Sequence, residues 1–392
     1  MTHQSTTPKQ RLVGIDLFRG VSAYAVILIH AGTLMLYLGL PTNYWTTALR
    51  AVSSFAVPFF LASSFYLMTS KLYTNNEKSS ISSNIKSRSV RLLLPYFYWS
   101  LIYLGLRLVK ALATSEDLSK LFQDPVLLIF LGGASIHLYF LPLLFTGSFL
   151  IIVAEFLAKR RISLLALVFL LVLSTIIYEW QIVSGNNFEF STKFGINCLE
   201  LASSCSVAFQ SFTKLIFPNG NNSQLIRLLL VELSWLTKCL PYILMAMLLN
   251  HPYIKKRLDK FDIKHALMFL ITAILISIFW LLKTFEFLYF PESLYELSIA
   301  FSMLLSGICL SVNLKENYYL KNLGICSFGI YLMHYLVLTI YGVFVSKLPI
   351  EIVASSPILT MLMLTTLSFF TSWTLTSVCV RKKLLSKVLF GT

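Results

Sequence analysis

The sequence predicts an all-α fold: a polytopic membrane protein with about ten transmembrane helices and both termini in the cytoplasm. Three observations carry this. First, 57% of the 392 residues are hydrophobic and only 12% charged, against about 25% charged in an ordinary soluble domain, and the mean hydropathy is +0.75. Second, apolar runs long enough to cross a bilayer recur along the whole chain. Third, lysine and arginine collect in alternate loops.

Taken in order, the spans fall near 12–36, 48–70, 92–112, 137–157, 163–183, 225–249, 265–282, 294–312, 324–345 and 357–380. Residues 126–136 either extend the fourth helix or form a re-entrant loop, because Gly132-Gly133 interrupts them. Residues 195–217 either dip into the membrane or lie on it. No polar block is long enough for a separate soluble domain, so residues 1–392 read as one integral membrane domain. The polar N-terminal tail lacks the features of a signal peptide, so the first helix is expected to remain in the mature protein.

The net charge of +15 raises nucleic acid as a partner, and its distribution argues against it. Lys71, Lys78, Lys86, Arg88 and Arg91 share one loop region. Lys159, Arg160 and Arg161 share the next on that side, followed by the run from Lys255 to Lys264, by Lys315 and Lys321, and by Arg381, Lys382, Lys383 and Lys387. This is the positive-inside pattern, and membrane lipid headgroups satisfy it. Cys198 and Cys205 share an external loop and could pair, but read first as two free thiols. No C-x-x-C pair or His/Cys cluster is present, so no metal is expected. The sequon Asn221-Asn222-Ser223 matters only in a cell that glycosylates.

Ionisable groups inside a bilayer are costly, so each asks for a reason. Asp16 and Arg19 are three residues apart in the first helix and can pair on one face. His30 follows Arg19 by eleven residues, three helical turns, which puts it on the same face about 16 Å further along the axis. A histidine hydrogen-bonded to a neighbouring helix is the competing reading. In the ninth helix Ser327, Tyr331 and His334 form one polar stripe, and His334 is expected at a depth near that of His30. Arg88 and Arg91 sit at the cytoplasmic mouth of the third helix. They suit phosphate, or serve simply as flanking charge. His137 and Tyr139 start the fourth span at its outer end, where aromatic residues are common. Glu232 and Lys238 face different directions and receive no role.

These segments together resemble the acyltransferase 3 family. Gly14-Ile15-Asp16-Leu17-Phe18-Arg19-Gly20 with His30 is similar to its first-helix signature, an arginine and a histidine with ten residues between them. Arg88-Ser89-Val90-Arg91 with Pro95 resembles its Arg-x-x-Arg motif. His137-Leu138-Tyr139-Phe140-Leu141 resembles its His-Leu-Trp-Phe-Leu run, with Tyr139 in place of the tryptophan. Ser327 to His334 resembles its Ser-x-Gly-x-Tyr-Leu-x-His motif.

The resemblance implies transfer of an acyl group, often acetyl, from cytosolic acyl-CoA to a hydroxyl of a cell-surface polysaccharide or lipid-linked glycan. It implies a multi-pass protein of the cell membrane with acyl-CoA as co-substrate and no permanently bound cofactor. His30 is then a general base or a nucleophile, Arg19 steadies the thioester and Asp16 orients Arg19. Arg88, Arg91, His137, Tyr139, Ser327, Tyr331 and His334 are expected to bind substrates. A transporter or exporter of a polysaccharide or small solute is the alternative, although no repeat relates residues 1–190 to 200–392. The sequence sets no oligomeric state.

Overall fold

The computed structural model of the protein describes residues 11–74, 81–115, 117–122, 124–183 and 224–391. The expectations for 195–217, for Cys198 and Cys205, and for the sequon lie outside these residues. The described residues form helices and turns only. In chain order the helices are α1 (Val13–Tyr37), α2 (Tyr44–Val52), α3 (Ala56–Thr74), α4 (Ile81–Thr114), α5 (Pro125–Phe130), α6 (Phe140–Ser148), α7 (Ile151–Lys159) and α8 (Leu164–Val183). After the undescribed stretch follow α9 (Gln224–Asn250), α10 (Pro252–Leu258), α11 (Ile263–Thr284), α12 (Glu292–Asn313), α13 (Tyr318–Val345), α14 (Ile350–Ser355), α15 (Pro357–Val380) and α16 (Lys383–Phe390).

Ten segments among the described residues are long and apolar enough to cross a membrane, and each overlaps a span expected from the sequence. Two of them are composite. The second joins α2 to α3 through a 3₁₀ turn at Ser53–Phe55. The fourth, expected as one helix over 137–157, instead starts at Phe140 and breaks into α6 and α7. At that break Leu150 N–H bonds back to the Gly147 carbonyl at 3.1 Å, three residues rather than four away.

α1 is the central helix. It packs against α3, α12, α13 and α15. Its entry beside α12 depends on the absence of side chains: a Cβ on Gly14 would stand 2.1 Å from the Gly307 carbonyl oxygen. The Gly14 N–H also donates to Ser311 Oγ at 2.9 Å. Small residues let helices approach closely where lipid supplies no hydrophobic drive. Gly14→Ala is therefore expected to cost about 1–3 kcal/mol, as overpacking does, and to lower the apparent melting temperature of the detergent-solubilised protein followed by tryptophan fluorescence.

The outermost helices show the complementary pattern. Leu165, Phe169, Val172 and Ile176 of α8 are exposed, as are Leu267, Ile271, Ile274 and Ile278 of α11. Apolar stripes of this size suit a lipid surface rather than water.

The end of the bundle at which α1 begins is called proximal here, and the opposite end distal. The last helix returns to the proximal end, where α16 packs on α4. Pro95 of α4 cannot donate to the Arg91 carbonyl one turn back. Gly391, at φ +64°, lies against that carbonyl so closely that a Cβ would approach it to 2.3 Å.

Candidate active site

The proximal end gathers guanidinium groups. Asp16 is buried and accepts from Arg11 Nε at 2.5 Å, with Arg19 Nη1 further away at 3.8 Å. The Asp16–Arg19 pair read from the three-residue spacing therefore exists, but Arg11 is the closer partner. Arg11 also donates to the Lys321 carbonyl at 3.3 Å, which ties the start of α1 to α13. Gly324 of α13 makes room for the carboxylate, since a Cβ there would stand 2.3 Å from Asp16 Cγ.

α4 extends back far enough to carry both Arg88 and Arg91. Arg88 is half-buried and donates to Ser148 Oγ at 3.0 Å, while Arg91 is exposed. Arg91 lies within electrostatic range of both Arg19 and Arg88. Asp16 pairs with Arg11 and Arg19, Arg91 lies near Arg19, and Arg88 lies near Arg91, which leaves an excess of positive charge at this end. Such a cluster attracts polyanions.

Toward the distal end three histidines meet. The ring centroids of His30 and His334 are 5.2 Å apart, those of His137 and His334 4.8 Å, and those of His30 and His137 6.2 Å. The similar depth expected for His30 and His334 is thus realised. The expectation for His137 needs correction. It does not start the fourth span; it lies in the turn before α6, 1% exposed. Gly132, at φ +83°, packs against the Tyr139 backbone and lets the chain double back so that the turn after α5 carries His137 inward. Residues 126–136 accordingly do not extend the fourth helix: they hold α5 and the start of this buried turn.

Hydrogen bonds distinguish the three rings. His137 Nε2 lies 3.3 Å from the Leu332 carbonyl, which only accepts, so Nε2 carries the proton and Nδ1 accepts from Ser135 Oγ at 3.1 Å. Both nitrogens are occupied, and Tyr331 O–H donates to the His137 carbonyl. His137 is held as part of the wall. His334 Nδ1 donates to the Tyr331 carbonyl at 2.5 Å. Its Nε2 therefore carries the lone pair, and that atom is buried without a hydrogen-bond partner. His30 Nδ1 is also buried without a partner, while the residue as a whole is half-buried. His30 and His334 are thus the two rings with basic nitrogens left for another molecule. No group of three His, Cys, Asp or Glu among the described residues is arranged to hold a metal ion.

Ser327 stands apart from this cluster, its hydroxyl bonded to the Gly324 carbonyl one turn back on α13. Tyr139 is half-buried and within electrostatic range of Tyr331 and Lys238. The sequence reading did not include Tyr335, whose ring lies 5.6 Å from those of His30 and His137. Nor did it include Tyr103, which stacks edge-on to His137 at 5.1 Å and donates to the Leu332 carbonyl at 2.8 Å. Tyr335 directly follows His334, and that adjacency was the only local signal.

No curated protein and no solved structure matches the chain. The acyltransferase 3 family, described as an acyltransferase domain, matches residues 12–377 of the 392. That match covers Arg19, Arg88 and Arg91, all three histidines and all ten spans but the last few residues of α15. The chain belongs to the acyltransferase 3 family, and the protein is a multi-pass membrane acyltransferase.

Proposed function

We propose that the protein moves an acyl group, acetyl in the simplest case, from cytosolic acyl-CoA to a hydroxyl of a cell-surface polysaccharide or lipid-linked glycan. The proximal end is then the cytoplasmic one. The observation that carries the reading is the alignment on one helix of two unlike environments. An arginine cluster suited to a polyanion stands at the start of α1, and an imidazole with an unpartnered nitrogen lies about 16 Å along the same face.

Coenzyme A has matching parts. Its phosphates bind Arg88 and Arg91 by charge-assisted hydrogen bonds, and its long thin arm carries the thioester inward past Arg19. His30 takes the proton from the acceptor hydroxyl as that oxygen attacks the thioester carbonyl. The carbon–sulfur bond breaks, the thiolate leaves, and the proton passes from the imidazolium to the sulfur. The lone pair of His334 faces the same space and steadies the charged form of His30. Arg19 stabilises negative charge on the thioester carbonyl as the tetrahedral centre forms.

The test is acceptor-dependent release of free thiol from acetyl-CoA by the purified protein, with mass analysis of the acceptor for the added acyl group. Movement of intact glycan across a vesicle without thiol release would instead mark a transporter. Arg88→Ala removes a charged donor from the proposed phosphate site, worth about 1.5–3 kcal/mol. It is expected to raise KM for acetyl-CoA roughly ten- to hundredfold with a smaller change in kcat, read from initial rates. An unchanged KM removes Arg88 from CoA binding.

A further inference from the structure

The distal side of the histidine cluster holds cations that no described carboxylate neutralises. Arg50 of α2 reaches across to α1, where its side chain packs so closely on Gly32 that a Cβ there would stand 2.4 Å from Arg50 Cδ. Its Nη2 donates to Thr33 Oγ1 at 3.2 Å, one turn beyond His30, and its Nε is buried without a partner. The guanidinium is within electrostatic range of His30. Arg107 of α4 donates to the Gly133 carbonyl at 2.7 Å and is within range of Tyr335. Lys110, one turn on, donates to Tyr37 O–H at 3.2 Å. All three bond to neutral groups, and none forms a salt bridge with a described carboxylate.

Two lysines elsewhere in the bundle behave differently. Lys238, also inside a span, is matched to Glu296 at 2.8 Å, and Lys283 at the distal end of α11 meets Glu292 at 3.7 Å. Holding a cation at membrane depth without a counter-charge is costly, and such groups mark ligand sites. The arrangement also differs from Arg11 and Arg19 at the proximal end, which share Asp16. It sits at the opposite end of the His30 helix, so coenzyme A phosphates bound at the proximal cluster cannot serve both.

We propose that Arg50, assisted by Arg107 and Lys110, forms an anion subsite beside His30 that holds a phosphate or carboxylate of the acyl acceptor, so that the acceptor is an acidic glycan or a sugar linked to a lipid phosphate rather than a neutral sugar. This rests on the acyltransferase reading of the histidine cluster and narrows the acceptor class. An anionic group held by the Arg50 fork fixes the register of the sugar, and a hydroxyl of the sugar then comes under His30. Buried, water-poor surroundings strengthen the bond.

The test measures binding rather than turnover, so it stands whether or not transfer is observed. The full-length protein is purified in a polyoxyethylene detergent, which carries neither charge nor sugar, and saturated with coenzyme A to fill the proximal cluster. Glucose 1-phosphate, methyl glucuronide and methyl glucoside are titrated by calorimetry at constant ionic strength. At least one of the two anionic probes is expected to bind at least tenfold more tightly than the neutral glucoside. Arg50→Gln is expected to remove that preference, Arg50→Lys to keep part of it, and His30→Ala to leave it in place. Preference for the phosphate alone identifies a lipid-phosphate or sugar-phosphate acceptor; preference for the carboxylate alone identifies an acidic sugar. Equal binding of all three probes by the wild-type protein overturns the proposal, even should Arg50→Gln fail to fold. So does a folded Arg50→Gln protein that retains the anion preference.

Discussion

His30→Ala is expected to lower acyl transfer by about 10²- to 10⁴-fold, the range for loss of a general base, while leaving the bundle folded. The structure makes this substitution unusually clean. His30 forms no hydrogen bond with the described residues, so its removal leaves no orphaned donor or acceptor behind. Its neighbours at 5.2 to 6.2 Å are rings that keep their own bonds: His137 to Ser135 and Leu332, His334 to Tyr331. His137→Ala is different in kind. It leaves the Ser135 hydroxyl without its partner and the Leu332 carbonyl with Tyr103 as its remaining donor, at a site 1% exposed, so lost activity there would accompany lost stability. The measurement pairs thiol release from acetyl-CoA with a melting curve on the same preparation. A folded His30→Ala protein that still acylates at the wild-type rate would remove His30 from the mechanism and leave His334 Nε2 as the basic nitrogen of the cluster.

Much of the fold was legible because a bilayer restricts the choices. Backbone groups in lipid must be satisfied within the segment, so each apolar run of sufficient length becomes a helix. Span ends shifted by a few residues where local chemistry intervened. Asn43 caps α2, accepting from the Thr46 N–H at 3.0 Å, so the helix begins at Tyr44, four residues ahead of the expected start. The Gly147–Leu150 turn split the fourth span, and hydropathy does not register such a break.

The site was legible where its residues share one helix. The 3.6-residue period alone puts Asp16, Arg19 and His30 on one face. It was illegible where partners come from distant segments. Arg11 stands just ahead of α1, and only the fold shows it closing on Asp16. His137 read as an interfacial residue because its inward turn depends on a positive φ at Gly132, which hydropathy does not encode. Arg50 drew no notice because its position near His30 is set by how α2 lies across Gly32.

The clearest case of a missed pairing carries the largest stability effect. Glu232 is the acidic residue near Lys238 in sequence, but Lys238 pairs with Glu296, 58 residues on. Glu296 Oε1 accepts from Lys238 Nζ at 2.8 Å, and Oε2 accepts from the hydroxyls of Tyr178 and Tyr242, both at 3.0 Å. One carboxylate thereby ties α8, α9 and α12 together and compensates a cation held inside a span. Glu296→Gln keeps the shape and an accepting oxygen but leaves the ammonium without its counter-charge. Breaking a buried pair from one side costs about 3–5 kcal/mol, and the loss is expected as a lower denaturation midpoint in mixed micelles. Lys238→Met alone strands the carboxylate instead and is expected to cost a comparable amount. Combining the two substitutions removes both charges, and the double variant is expected to recover a large part of either loss, because the penalty lies in the uncompensated charge rather than in the missing contact. Strictly additive losses in that cycle would show that the pair is not coupled, and the three helices would then owe their association to packing alone.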